Sequence, residues 1–280
     1  MYKIIEKKLL NSIVCEMNIY APMVAKKAEP GQFIILRVDE KGERIPLTIA
    51  GYDREAGIVK IIFQIAGATT KQLFSLEEGD YILDFVGPLG NATETDGLKN
   101  VCVIGGSVGC AIAFPVSEKL KKNGCNVTSI CGFKNKDLVI LEEEFKNCSN
   151  DYYLVTDDGS YGEKGNVCVP LERLLKGGIK FDKIIAIGSI VMMKYVSMLA
   201  KEYNTPCIVS MNPIMIDGTG MCGGCRLTVD GKVKFACIDG PEFDGSKVDF
   251  DELLVRNSMY SDFERHAYSE SCNLLSKEVK

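Results

Sequence analysis

The chain has 280 residues, 46% hydrophobic and 25% charged, the composition of a globular protein with room for about two domains. A net charge of −5 without any basic block gives a nucleic-acid surface no electrostatic support, and no apolar run is long enough to span a membrane. The first residues, Met1 to Lys8, lack an apolar signal core. Nine of the 12 cysteines are scattered through apolar segments such as Val101–Val103, which fits reduced thiols and a cytoplasmic location better than a disulfide framework. The single histidine, His266, lies in a charged stretch and reads as a surface residue; a Rieske centre, which needs two, is excluded.

Residues 1–97 are strand-like, with β-rich runs at Ser12–Tyr20, Gln32–Val38, Ile58–Ile65 and Tyr81–Val86 separated by Gly, Pro and Asp turns. Short strands at such intervals predict a small antiparallel barrel. Within it, Arg44, Pro46, Leu47 and Thr48 place a cation, a stiffened strand and a hydroxyl in one short segment. Gly67, Thr69 and Thr70 follow, a glycine before hydroxyls that can open a helix and leave free N–H groups for a pyrophosphate. Each segment alone reads equally well as a plain edge strand or a plain capped helix. Gly87 to Gly90 closes the barrel, and Asn91–Asn100 reads as a polar linker.

From residue 98 to about 211 the text changes to apolar strand, glycine turn and helix in repetition, which predicts a doubly wound parallel sheet. Strands are expected at Val101–Ile104, Val127–Cys131, Asp151–Thr156, Lys183–Ile187 and Pro206–Met211, and helices at Ala111–Asn123, Leu138–Lys146, Pro170–Lys176 and Val191–Tyr203. The first strand ends in Gly105, Gly106 and Gly109 ahead of a helix, where a dinucleotide pyrophosphate can approach the backbone. Gly132 and Phe133, Asp157, Asp158 and Gly159, and Gly188 occupy the other strand ends, where such sheets bind ligands. A tight βα turn is the competing reading of each, and no residue can be placed at the ribose to choose NAD or NADP.

Residues 212–280 hold the pattern D-x4-C-x2-C-x11-C: Asp217, Cys222, Cys225 and Cys237, with glycines at 218, 220, 223 and 224. Plant-type ferredoxins supply a two-iron cluster from C-x4-C-x2-C and a distant cysteine, and glycines let backbone N–H groups turn toward the sulfurs. A zinc site built from the same four residues, or merely buried reduced cysteines, are the alternatives. Arg226–Val233 reads as two short strands around an Asp230-Gly231 turn. The tail carries Leu253, Leu254, Met259, Phe263, Leu274 and Leu275, available to pack on the body or on a partner.

The order barrel, Arg-x-Pro-Leu-Thr, Gly-x-x-Thr-x-x-Leu, Gly-Gly-x-x-Gly and C-terminal cysteine loop resembles the ferredoxin-NADP reductase superfamily. Within it the chain is similar to the electron-transfer subunits of dihydroorotate dehydrogenase and, more closely, to their sulfide dehydrogenase relatives. That branch includes the small subunits of electron-bifurcating NADH-dependent ferredoxin:NADP oxidoreductases. The resemblance spans about residues 1–256 and is strongest at Thr156–Gly165, Asp217–Cys225 and Phe235–Gly245. It departs at Ser107 and at Ala111-Ile112, where a third glycine and Ala-Pro are usual, and at Ser189, where many members carry cysteine.

The resemblance implies FAD on Arg44, Pro46, Leu47 and Thr48 with its pyrophosphate on Gly67, Thr69 and Thr70, and NADH at the strand ends from Gly105 onward. It also implies a 2Fe-2S cluster on Asp217, Cys222, Cys225 and Cys237, aspartate in the first place marking the bifurcating branch. A larger flavin and iron–sulfur subunit, and ferredoxin through that complex, are the implied partners. A dihydroorotate or sulfide dehydrogenase subunit and a zinc-stapled binding module are the rival functions.

Overall fold

The computed structural model describes residues 1–275, with side chains through Ser269. The first sheet has seven strands: β1 (Tyr2–Asn11), β2 (Val14–Tyr20), β3 (Phe33–Arg37), β4 (Ile45–Asp53), β5 (Ile58–Gln64), β6 (Tyr81–Ile82) and β7 (Asp84–Leu89). Their order is β6-β1-β2-β5-β4-β3-β7, and every pairing is antiparallel. The two edge strands are consecutive stretches of chain joined by Leu83 alone, so the sheet curls into a nearly closed barrel. Two short helices, α1 (Pro22–Ala25) and α2 (Ala68–Ser75), sit in its connections.

The continuous apolar run Phe33–Leu36 is explained by burial on both faces. Ile34 and Leu36 fill the barrel with Met17, Ile61 and Phe63, while Phe33 and Ile35 point outward into the core shared with the second sheet. β1 was not anticipated among the strands. It lies between β2 and the two-residue edge strand β6, which pairs only with Tyr2 and Lys3; a register shift between Ile4 and Glu6 and the Glu and Lys residues along its otherwise unpaired side hide the alternation.

The second sheet comprises β8 (Asn100–Gly106), β9 (Asn126–Phe133), β10 (Asp151–Thr156), β11 (Glu163–Lys164), β12 (Lys183–Ile187) and β13 (Cys207–Ser210). These strands are parallel in the order β11-β10-β9-β8-β12-β13. The chain winds outward from β8 to β11, then crosses to β12 on the other side of β8, leaving a switch point between β8 and β12. Val101 and Val103 face α3 (Gly109–Lys122) and α4 (Glu142–Cys148); Cys102 and Ile104 face α5 (Cys168–Lys176) and α6 (Ile190–Glu202). α4 begins later than expected because Leu141 adopts φ 58°, a left-handed residue that separates it from a short turn at Lys136–Leu138.

The C-terminal part holds the hairpin β14 (Arg226–Val229) and β15 (Lys232–Phe235), whose turn residues Asp230 and Gly231 have φ 52° and 67°. Then β16 (Glu242–Asp244) joins β13 antiparallel, a strand too short to stand out in the sequence. Helices α7 (Phe250–Ser258) and α8 (Ser261–Leu275) follow. Leu253 is fully buried, whereas Met259 and Phe263 project into solvent; Leu274 and Leu275 lie outside the residues whose side chains are described. The 91–100 linker is firmly fastened: Thr93 and Thr95 are buried, and Thr93 donates to Glu242 Oε1 at 2.5 Å.

Candidate functional site

A cavity of about 290 Å³ lies where the barrel meets the switch point of the second sheet. Pro46 and Thr48 line its barrel wall; Gly106, Gly109 and Gly188 line its sheet wall. Alternation along β4 explains the selection, since Pro46 and Thr48 share one face while Leu47 turns to the barrel core. Glycine is required on the sheet wall: a Cβ on Gly109 would sit 2.4 Å from the Ile187 carbonyl oxygen, and one on Gly106 2.5 Å from Met192 Sδ. Phe33, Gln64 and Met215 also line it and were not singled out by the sequence.

Arg44 turns away from this cavity, its Nε donating to the Ile216 carbonyl at 3.0 Å. Gly67, Thr69 and Thr70 lie at the start of α2, three residues past Gln64 at the earliest, with open space above Gly67. The Thr70 hydroxyl caps its own helix, accepting the Ala66 and Gly67 N–H groups, each at 3.0 Å. Thr69 donates to Glu43 Oε2 at 3.2 Å.

A second cleft of about 700 Å³ shares Gly106, Ser107 and Ser189 with the first and runs over the ends of β9 and β10 toward α6. Gly132, Phe133 and Asp157 line it. Asp158 and Gly159 serve the turn beyond: Asp158 accepts the Ser160 N–H at 2.8 Å, and Ser160 holds its carboxyl below the usual range, while Gly159 has φ 75°.

The cysteine loop packs on the barrel beside the first cavity. Gly218 has φ 78°, and a Cβ there would meet Leu89 Cδ1 at 2.7 Å and Ile35 Cγ1 at 2.8 Å. Cys225 and Cys237 are buried with their sulfurs 3.2 Å apart, Cys222 is exposed, and the Gly224 N–H approaches Cys222 Sγ at 3.4 Å. Asp217 accepts the Thr219 N–H at 2.6 Å and the Cys222 N–H at 2.8 Å; the Thr219 hydroxyl is its strongest partner and holds the carboxyl well below the ordinary range. Burial, then the Cys225 thiol, push Cys237 up to about 12. Three soft sulfurs and one carboxylate in a glycine-bent loop suit a two-iron cluster, whose ligands divide between two metals. Among the described residues no three such side chains converge as around one metal ion.

The model for the iron–sulfur cluster binding domain of dihydroorotate dehydrogenase B matches residues 212–249, the stretch containing all four of these residues. A Thermotoga maritima homolog of the dihydroorotate dehydrogenase B (NAD(+)) electron transfer subunit is 47% identical over 266 residues, 95% of this chain and 94% of its own. The Streptococcus pneumoniae dihydroorotate dehydrogenase B (NAD(+)) electron transfer subunit is 32% identical, covering 86% of this chain and 94% of its own. The chain belongs to the dihydroorotate dehydrogenase B electron-transfer subunit family. A chain from the solved NADH-dependent reduced ferredoxin-NADP oxidoreductase, described in connection with flavin-based electron bifurcation, superposes with TM-score 0.92 at 43% identity, covering 96% of this chain and 97% of that one.

Within this electron-transfer subunit family, the chain is an NAD(P)H-dependent flavin and iron–sulfur oxidoreductase subunit whose cofactors are FAD, a 2Fe-2S cluster and NADH. The fold bears out the expected barrel, parallel sheet and C-terminal cluster region, and the zinc alternative falls with the iron–sulfur match. Among the described residues no helix is long and apolar enough to cross a membrane.

Proposed function

We propose that this chain takes hydride from NADH onto FAD and passes single electrons through its 2Fe-2S cluster as the small subunit of a cytoplasmic, electron-bifurcating NADH-dependent ferredoxin:NADP oxidoreductase. One relationship supports this reading above others. Pro46 lines the crevice, its register partner on β3 is Ile35, and Gly218 of the cysteine loop packs on Ile35. Crevice and cluster loop are thus one strand pair apart.

A flavin accepts two electrons as hydride and releases them singly, the conversion that nicotinamide and iron–sulfur chemistry require between them. The chain's residues hold and align the reactants. Pro46 and Thr48 form the barrel wall, Thr48 offering a hydroxyl, and Gly67, Thr69 and Thr70 receive the FAD pyrophosphate at the start of α2. Gly106, Gly109 and Gly188 keep the sheet wall free of side chains, which leaves room for a nicotinamide, and Phe33 and Met215 exclude water, while Gly105 lies behind this wall, packed on Cys110 of α3. Gly132, Phe133 and Asp157 border the remainder of the dinucleotide. Asp217, Cys222, Cys225 and Cys237 hold the cluster, and Arg44 ties its loop to β4 through Ile216. Hydride transfer asks no acid or base of the chain.

A second reading, the electron-transfer subunit of a dihydroorotate or sulfide dehydrogenase, is favoured by the relatives named for dihydroorotate dehydrogenase B; Asp217 in the first ligand place argues for the bifurcating branch. Anaerobically purified chain should oxidise NADH with artificial dyes and should reduce NADP with ferredoxin only after its larger flavin and iron–sulfur partner is added. Full turnover by the isolated chain, or coupling to dihydroorotate, would refute the assignment.

A further inference from the structure

The C-x2-C turn of the cysteine loop is held from outside by two guanidinium groups. Arg226, the first residue of β14, donates from Nη1 to the Gly223 carbonyl at 3.1 Å, and Arg256 of α7 donates from Nη2 to the Gly224 carbonyl at 3.4 Å. Both side chains border a cavity of about 120 Å³ beside Ile216, and among the described residues neither makes an ion pair. Their platforms are firmly held. Arg226 pairs in register with Phe235 in the hairpin, and α7 is tied to β14 by the Asp249 N–H on the Thr228 carbonyl at 2.9 Å and the Thr228 N–H on Glu252 Oε2 at 3.0 Å.

One peptide plane carries the effect of Arg226 inward. Gly223 and Gly224 are joined by a trans peptide, whose C=O and N–H lie on opposite edges of one rigid plane. With its carbonyl on Arg226, this plane directs the Gly224 N–H to Cys222 Sγ at 3.4 Å. Gly223 reaches the backbone geometry this needs at φ 67°, where a Cβ is disfavoured. A cation on the carbonyl also polarises the amide and strengthens its N–H as a donor. Hydrogen bonds to a ligand sulfur withdraw electron density from it and favour the reduced cluster. We infer, on the reading of Cys222 as a cluster ligand, that Arg226 is a positioning residue that aims the Gly224 N–H at Cys222 Sγ and raises the cluster's reduction potential.

A redox titration of the flavin- and cluster-loaded protein, read by electron paramagnetic resonance, tests this role. Arg226→Met should lower the reduction equilibrium constant about tenfold, about 59 mV for one electron. The shift should persist at high salt, which screens a through-space charge but not a hydrogen bond. Arg226→Lys, with a cation and donors on a chain of similar reach, should restore most of the parent's value. Cys222→Ser is the companion variant: an altered or lost signal is expected, and a signal and potential equal to the parent's would overturn the ligand reading itself. If Cys222→Ser alters the signal while Arg226→Met leaves the potential unchanged, or shifts it only at low salt, the assignment to Arg226 is overturned and the ligand reading stands. Should Arg226→Met assemble no cluster, Arg226→Gln decides by the same titration, a lowered potential supporting the role and the parent's value overturning it.

Discussion

Gly218 of the cysteine loop packs its bare Cα side against Ile35 of the barrel, and Ile35 pairs in register with Pro46 on the crevice wall. Two consequences follow for substitution at this point. The left-handed φ of 78° disfavours any Cβ, and the space for one is already filled by Leu89 and Ile35. Gly218→Val is expected to cost about 1–3 kcal/mol and to lift the loop from the barrel. Thermal unfolding should show the loss, with cluster absorbance falling while bound flavin is retained. Gly67→Ala, where φ is −129° and nothing lies within 4 Å of the added Cβ, should leave thermal stability nearly unchanged.

Asp217 is proposed as a cluster ligand, with an ordinary turn role as the competing one. A carboxylate donates less electron density to iron than a thiolate, so it should raise the cluster's potential. Asp217→Cys should keep a two-iron cluster at a lower potential, and Asp217→Ala should weaken or lose it. Electron paramagnetic resonance during a redox titration reads both; an unchanged signal and potential in both variants would leave Asp217 as a turn residue only.

Glu242 gives a pH dependence of known sign. Its carboxyl group lies inside the junction of barrel and sheet, and burial raises its pKa above the ordinary 4.5, with Thr93 and Lys183 opposing and Glu94 assisting. A raised acid contributes stability that is present in acid below the ordinary value and is lost as pH rises through the folded-state pKa. Glu242→Gln keeps an acceptor for Thr93 and cannot ionise. Its urea midpoint should exceed that of the parent at neutral pH, and the advantage should vanish in acid; a parent that stays ahead at neutral pH would show that the carboxylate is stabilised there.

Much of the fold was legible because its patterns have simple causes. The parallel strands are apolar throughout since helices cover both faces, and the glycines at 105, 106 and 109 mark a close helix-to-strand approach that leaves no room for a Cβ. β1 was obscured by its Glu and Lys residues and its register shift, and β16 by its three-residue length between Pro241 and Gly245. In the site, spacing located the cysteine loop, and motif order located Pro46 and Thr48. Spacing does not reveal which donors a loop uses internally. The sequence therefore did not show that the Thr70 hydroxyl also caps α2, or that Asp158 also accepts from Ser160 within its turn. Nor does it reveal that Arg44 reaches across to Ile216, a contact between residues 172 positions apart.

Anaerobic titration of the purified chain with NADH, followed together by visible absorption and electron paramagnetic resonance, tests the proposed route from nicotinamide to cluster most directly. NADH should bleach the flavin band and then bring up the signal of a reduced two-iron cluster, and Gly218→Val should delay or remove the second event without preventing the first. Complete flavin bleaching with no cluster signal from the unaltered, cluster-loaded chain would contradict the route.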